Sequence, residues 1–460
     1  MLKCSSSLDR ACWSKRRCDT LQKASITPPR VTVEDPMETS ESYFERKHQE
    51  LELFCASLED PLSVGICRSV EDVVKSKFQL AAALRAEHER RAWKATETSW
   101  SHANWHHGGP FKFTYDYQRA DLDVTGPCFY ELDPNCTCET SYAASGMAAM
   151  SACLVALGRV MGPAELIVLP RSYGETIELV ENYLGRIQIV RAEGNLADAP
   201  VPSGRPRILL LDSAGSSGAM ETVLRITSKP ADILLFDTTC FASTSSRIRR
   251  VLQWARKLAI PVAMVRSHTK LDSLGAEYGR LGSVVFVDWD NACERGSRLQ
   301  GRRLATEARN AIRLLGSAAV PAHFPPYVGS PLYRTLSRKR VAGMLRNCRR
   351  AARIIQSELA DRSMEVSNHG LYLTLRGPLQ FDEAVARKTA AAMSEDLSRQ
   401  GVPIRHAGSF GFDFAATEWF QDSDNGEYSV RVAIPDIPTA LCEQLSRAVA
   451  NWWSERHGRP

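Results

Sequence analysis

Ile233-Leu-Leu-Phe-Asp237-Thr-Thr and, farther along, Ile260-Pro-Val-Ala-Met-Val265-Arg-Ser-His-Thr-Lys270 decide how this chain is read. Each is a short apolar run of strand length that ends in a polar turn, and residues 247–258 between them have helical character. Strand, helix and strand in that order build a parallel sheet, whose ligands sit beyond the carboxyl ends of the strands. Asp237 ends the first strand and Lys270 stands just past the second. Taken singly, such a lysine is ordinarily a solvated loop residue and such an aspartate a turn former or helix cap. Together they match what pyridoxal phosphate (PLP) needs. The amine forms a Schiff base with the cofactor aldehyde, and the carboxylate keeps the pyridine nitrogen protonated so that the ring accepts carbanion electrons.

An anion site is legible upstream. In Ala143-Ala-Ser145-Gly146-Met147-Ala-Ala a polar and glycine pair opens an alanine-rich, helix-favouring run. The start of a helix offers free N–H groups and the positive end of its dipole, and glycine lets a phosphate approach closely. Next, the strand in Ala164-Glu-Leu-Ile-Val-Leu-Pro170 leads to Tyr173-Gly174, where the tyrosine ring could lie on a cofactor ring or pack on strand ends. Near the C-terminus, Tyr428-Ser-Val-Arg431-Val-Ala-Ile reads as a strand with an arginine among apolar residues. Its planar fork suits bidentate binding of a carboxylate, either a substrate's or one in a structural salt bridge.

With these motifs in hand the chain resembles the fold-type I PLP-dependent enzymes, most closely the cysteine and methionine metabolism family of cystathionine lyase- and synthase-like proteins. The match runs from about Tyr115 to Gly282 and resumes near Gly408. Tyr117-Gln-Arg119, Ser145-Gly146-Met147, Tyr173-Gly174, Asp237-Thr-Thr and Ser267-His-Thr269-Lys270 follow the family order. The resemblance implies that Tyr117 and Arg119 reach the cofactor phosphate across a dimer interface, that Gly146 and Met147 supply backbone donors to it, and that Ser267 and Thr269 supply hydroxyls. It further implies that Tyr173 stacks on the ring and that Arg431 holds the substrate α-carboxylate.

Departures from the pattern are as informative. Where the family carries an acidic residue and then Thr-Pro-Thr-Asn-Pro, this chain has Asp212-Ser-Ala-Gly-Ser216, so the usual asparagine is missing and Ser216 is a substitute at best. The helix between the Asp and Lys strands, together with Gly279-Arg280-Leu-Gly282, is also similar to class I/II aminotransferases, which makes Arg280 a second phosphate candidate.

Of the 460 residues 44% are hydrophobic and 24% charged, a globular balance that suffices for two domains. A net charge of +5 on so long a chain argues for neither nucleic acid nor a membrane surface. No segment has the apolar length of a membrane span, no signal-peptide core opens the chain, and 13 cysteines without a tight framework suit a reducing cytoplasm. Cys136-Thr-Cys138 lacks a second pair at zinc spacing, His106-His107 lacks further ligands and reads as loop, and Cys240 reads as a packed thiol that could face the cofactor. No metal is expected.

The expected organisation is a mobile tail over 1–40, a helical arm over 41–110, a PLP-binding α/β large domain with a mostly parallel sheet over 111–318, and a smaller α+β domain over 319–460. Strands are expected at 164–169, 187–191, 207–211, 233–237, 261–265 and 284–287. The expected function is that of a homodimeric or dimer-of-dimers PLP-dependent lyase acting on a small α-amino acid. It would eliminate a β- or γ-leaving group: a thiolate, an activated hydroxyl or a halide. A PLP-dependent aminotransferase and a γ-replacement synthase are the alternatives. A PLP-binding regulatory protein fits less well, because residues 1–110 show no DNA-binding helix-turn-helix and both Lys270 and Asp237 are intact.

Overall fold

The helix N-cap is the first local rule the chain obeys: Thr39, Ser145, Ser216, Ser330 and Asp382 each accept a backbone N–H at the start of a helix. The structure, a computed structural model, describes residues 38–91, 104–106, 109–115, 122–132, 136–192, 204–289, 295–359, 364–366, 370–376, 381–422 and 425–457. Tyr117 and Arg119 lie outside them. In chain order come helices α1 (Ser40–Cys55) and α2 (Val70–Arg91), then a small antiparallel sheet of β1 (Asn104–His106), β2 (Lys112–Tyr115) and β3 (Leu122–Thr125). His106, expected in a loop, thus ends a short strand.

The central layer follows as β4 (Cys136–Ala143), α3 (Gly146–Met161), β5 (Ala164–Val168), α4 (Gly174–Tyr183), β6 (Ile187–Arg191), β7 (Arg207–Asp212), α5 (Ser217–Val223), β8 (Ile233–Asp237), α6 (Ser246–Lys257), β9 (Val262–Ser267), β10 (Gly282–Trp289) and α7 (Arg295–Leu314). The sheet order is β4-β10-β9-β8-β7-β5-β6. Five strands, β5 to β9, are parallel neighbours, and β10 runs antiparallel between β9 and β4. All expected strands of this layer are present.

Successive side chains on a strand point to opposite faces, and here both faces are buried. Ile208 and Leu210, Ile233 and Leu235, and Ala263 and Val265 pack with α3 and α7. Leu209 and Leu211, Leu234 and Phe236, and Val262 and Met264 pack with α5 and α6. The result is a three-layer α/β/α large domain.

The last part of the chain forms α8 (Pro331–Glu358), β11 (Met364–Val366), β12 (Tyr372–Arg376), α9 (Glu383–Arg399), β13 (Ile404–His406), β14 (Ala415–Gln421), β15 (Tyr428–Ala433) and α10 (Thr439–His457). Its five strands are ordered β11-β12-β15-β14-β13, and β12 to β15 share one core with α8, α9 and α10. The N-terminal helices are built into their own chain: Tyr43, Val70 and Val74 enter this core, while Leu51, Phe54, Leu80 and Leu84 form a separate one with Phe113, Leu274, Phe324 and Tyr327. Among the described residues no helix is long and apolar enough to cross a membrane, and the nine described cysteines are unpaired.

Candidate active site

Carrying the period-two alternation to the strand ends places Asp212, Asp237 and Ser267 on the α3 side of the sheet. Asp212 and Asp237 are register partners on β7 and β8. All three line a cavity of about 800 Å³ at the carboxyl ends of the parallel strands, a normal size for a small-molecule site.

Asp212 is buried, and its carboxylate accepts the backbone N–H groups of Tyr173 (2.6 Å) and Ala214 (2.7 Å). Asp237 accepts the N–H of Thr239 (2.8 Å), and Thr239 Oγ1 in turn accepts the N–H of Ser267 (3.1 Å). Burial, and then the charge of Asp237, push Asp212 up to about 7. Burial also raises Asp237, against the pull of the Thr239 donors, Arg266 and Lys270. Two carboxylates side by side in a low-dielectric floor hold on to a proton between them.

The start of α3 forms the adjoining wall. Ser145 caps the helix by accepting the N–H of Ala148 (3.0 Å), which leaves the first-turn N–H groups of Gly146 and Met147 at the cavity. A Cβ on Gly146 would lie 2.7 Å from the Cβ of Ser267, so glycine is what lets the helix start touch β9. Ser145, Gly146, Met147 and Ser267 all line the cavity, and each carries a backbone N–H or a hydroxyl group.

Lys270 also lines the cavity, and its Nζ stands 4.6 Å from the centroid of the Phe410 ring. The turn carrying it is fixed from the opposite face of the sheet. Arg266 makes a bidentate pair with Asp272 (2.7 Å for both bonds) and donates to the carbonyls of Thr238 (2.7 Å) and Phe241 (2.8 Å). His268 joins Asp272 (2.8 Å) to Ser283 (2.8 Å) and stacks on Phe129. Burial alone pushes the Asp272 carboxyl up, yet Arg266 and His268 bring it down to about 2, so it stays ionised. The histidine of Ser-His-Thr-Lys is therefore a structural tie.

The small domain supplies the facing wall through Tyr372, Glu418, Trp419, Phe420 and Arg431. The Arg431 guanidinium carbon lies 3.6 Å from the Phe420 ring centroid and 4.2 Å from that of Tyr372. Glu418 stands 3.4 Å from Nη1, while the buried Nε has no acceptor among the described residues. Tyr173 lies across from this wall. Burial, with the carboxylates of Glu175 and Glu418, raises its phenol far above the ordinary value.

The structure thus brings Ser145, Gly146, Met147, Tyr173, Asp237, Ser267, Lys270 and Arg431 to one cavity. Thr269, Ser216 and Arg280 do not line it. Thr269 closes the lysine turn through its carbonyl (2.6 Å from Ser273 Oγ), Ser216 caps α5 through Ala219 N–H, and Arg280 is exposed. Cys240 does line it, and burial pushes its thiol up to about 12, which keeps it protonated. Asp212, Thr239 and Phe410 are site residues to which sequence reasoning gave no role. For Asp212 the signal was available: it ends its apolar run as Asp237 does.

No family model matches the sequence, and no curated protein matches it. Among solved structures the chain is similar to a cystathionine gamma synthase from Xanthomonas oryzae pv. oryzae (15% identity, TM-score 0.46, 69% of this chain and 82% of that one). It is also similar to a methionine gamma lyase from Micromonospora echinospora (15%, 0.45, 68% and 81%) and to an alanine aminotransferase from Pyrococcus furiosus (14%, 0.46, 71% and 78%). Likeness at that depth is silent on substrate and reaction.

Proposed function

We propose that this protein is a PLP-dependent lyase acting on a small α-amino acid. The observation that carries the reading is that Lys270 and Asp237, 270 − 237 = 33 residues apart, line one cavity whose third wall is a helix start suited to an anion. The residues present fit the cofactor. Gly146 has no Cβ where one would crowd Ser267, the Asp212–Asp237 floor is matched to a cationic ring nitrogen, and Arg431 lines the cavity with a guanidinium that suits a carboxylate.

In this reading Ser145, Gly146, Met147 and Ser267 hold the phosphate, Asp237 holds the ring nitrogen, Tyr173 flanks the ring, and Arg431 takes the substrate carboxylate. When bound, the cofactor supplies an aldehyde for the amines and a protonated ring that draws electron density from the substrate's α-carbon. Lys270 Nζ takes the α-proton of the substrate. A departing heteroatom at Cβ or Cγ then needs a proton of its own, and Tyr173, whose raised phenol stays protonated through the neutral range, is a donor for it. This second proton carrier favours elimination over transamination. A homodimer or dimer of dimers in the cytoplasm is proposed with it, Tyr117 and Arg119 serving a neighbouring site.

Reconstitution with PLP tests the reading. A visible band should form, and borohydride should fix a mass increment on the peptide carrying Lys270 but not on Lys270→Ala. A colourless protein with no adduct, or an adduct retained by that variant, would overturn it. Amino acids bearing thiolate, activated hydroxyl or halide leaving groups should then yield ammonia and an eliminated fragment. Accumulation of pyridoxamine phosphate would redirect the assignment to an aminotransferase.

A further inference from the structure

Beneath the cavity lies a second set of charges that the chemistry does not touch. Arg46, Lys47 and Glu50 of α1, Lys77 of α2, Arg340 of α8, Asp413 before β14 and Asp436 after β15 are all buried and in mutual contact. None of them lines the cavity. Such a cluster is costly to bury unless every member is paired, and its pairs fix the segments that carry them.

The segments it joins are those around the reactive amine. Lys77 Nζ donates to the carbonyl of Leu274 (2.7 Å), in the turn just past Lys270, and to the Asp413 carboxylate (2.7 Å), and it also pairs with Glu50. Arg340 donates to the same carboxylate (2.5 Å) and to the carbonyl of Gly411 (2.7 Å). Gly411, at φ +93°, packs so closely that a Cβ would lie 3.0 Å from the Lys270 carbonyl oxygen. Phe410 beside it covers Lys270 Nζ at 4.6 Å.

We infer that Lys77 is a positioning residue for Lys270, acting through Leu274 on the turn behind the lysine and through Asp413 on the Phe410–Gly411 roof in front of it. The N-terminal helix α2 thereby sets how far the amine projects under Phe410, although it contributes nothing to the cavity lining. The inference rests on the reading of Lys270 as the reactive amine.

The test uses the full chain without cofactor, so that its failure and a failure of the PLP reading are distinguishable. The rate at which acetic anhydride labels Lys270, read by peptide mass spectrometry, should rise on the order of tenfold in Lys77→Met, in the range that losing one member of a buried charge network produces. Lys77→Arg, which keeps the charge, should recover most of the restraint. A folded Lys77→Met protein with an unchanged rate would overturn the inference whatever PLP does, whereas absence of a PLP adduct in the wild type would overturn the function and leave this measurement standing. Should Lys77→Met not fold, hydrogen exchange on the wild type decides: amides of 271–275 and 409–413 should open together, with one common protection, and independent opening would overturn the inference.

Discussion

Asp212 and Asp237 end neighbouring strands with their carboxylates on one face, and the cost of ionising both falls on Asp212, raised to about 7 by burial and then by Asp237. A carboxylate whose folded pKa lies above its unfolded value near 4 contributes stability that is complete below about pH 4 and is lost as pH rises through about 7. The cofactor-free protein should therefore melt at lower temperature as pH climbs through that window. Asp212→Asn, with no proton to lose, should flatten the slope by about 1.4 kcal/mol or more, the worth of one pK unit; parallel melting curves for the two proteins would refute the coupling. Arg431 offers a second residue-level test. Since its guanidinium, packed on the rings of Phe420 and Tyr372, lines the cavity, Arg431→Ala should raise the KM for amino acids by about 10- to 100-fold, as a lost charged hydrogen bond does, while borohydride still fixes PLP to Lys270. Lys270, Asp237 and Arg431 could be singled out in the sequence because each is a charge at the end of, or within, an apolar run. Asp212 is the same kind of residue, but its partnership with Asp237 depends on the register of β7 against β8, which no local pattern records.

Element by element, the sequence foretold type better than direction. The apolar runs at 207–211 and 233–237 and the amphipathic stretch at 247–258 correspond to β7, β8 and α6, because burial on both faces of a sheet and on one face of a helix leaves a period in the residues. The antiparallel course of β10 was not legible: the segment after Lys270 holds a short 3-10 turn, Leu271–Ser273, in place of a crossover helix, and its composition does not reveal which way the next strand runs. Ser216 and Arg280 were drawn toward the site by motif analogy, yet α5 uses the serine as its cap and the turn before β10 leaves the arginine in solvent. The contact that matters most between elements is the start of α3 against β9. Gly146→Ala would force its Cβ onto Ser267, so it should cost about 1–3 kcal/mol in denaturant unfolding, the usual penalty for overpacking, and weaken PLP binding along with it. Full stability with full cofactor affinity would show that the helix start can retreat without consequence.

At the scale of the molecule, the cavity is closed by the large domain on one side and the C-terminal sheet on the other, and the charges at its mouth are unequal. Glu175, Glu178 and Glu181 line it from α4, Glu418 from β14 and Asp422 just beyond, against Arg191 and Arg431. Arg191 pairs with Glu181 (2.8 Å), and Arg171 approaches Asp422 (3.9 Å), which reduces the excess of negative charge without removing it. A substrate whose α-carboxylate is taken by Arg431 must direct its side chain into the remaining space, where a further anion meets like charges across low-dielectric walls. Glutamate and glutamine have the same shape and differ by that one charge. Glutamine should therefore perturb the absorbance of the PLP-loaded protein at about tenfold lower concentration than glutamate at low ionic strength. Because the carboxylates of α4 are exposed, the gap should narrow as salt brings the screening length below about 10 Å. Equal affinities, or a preference for glutamate that salt does not alter, would mean that Arg431 and Arg191 govern the field at the mouth and that the acidic wall is turned away from the bound side chain.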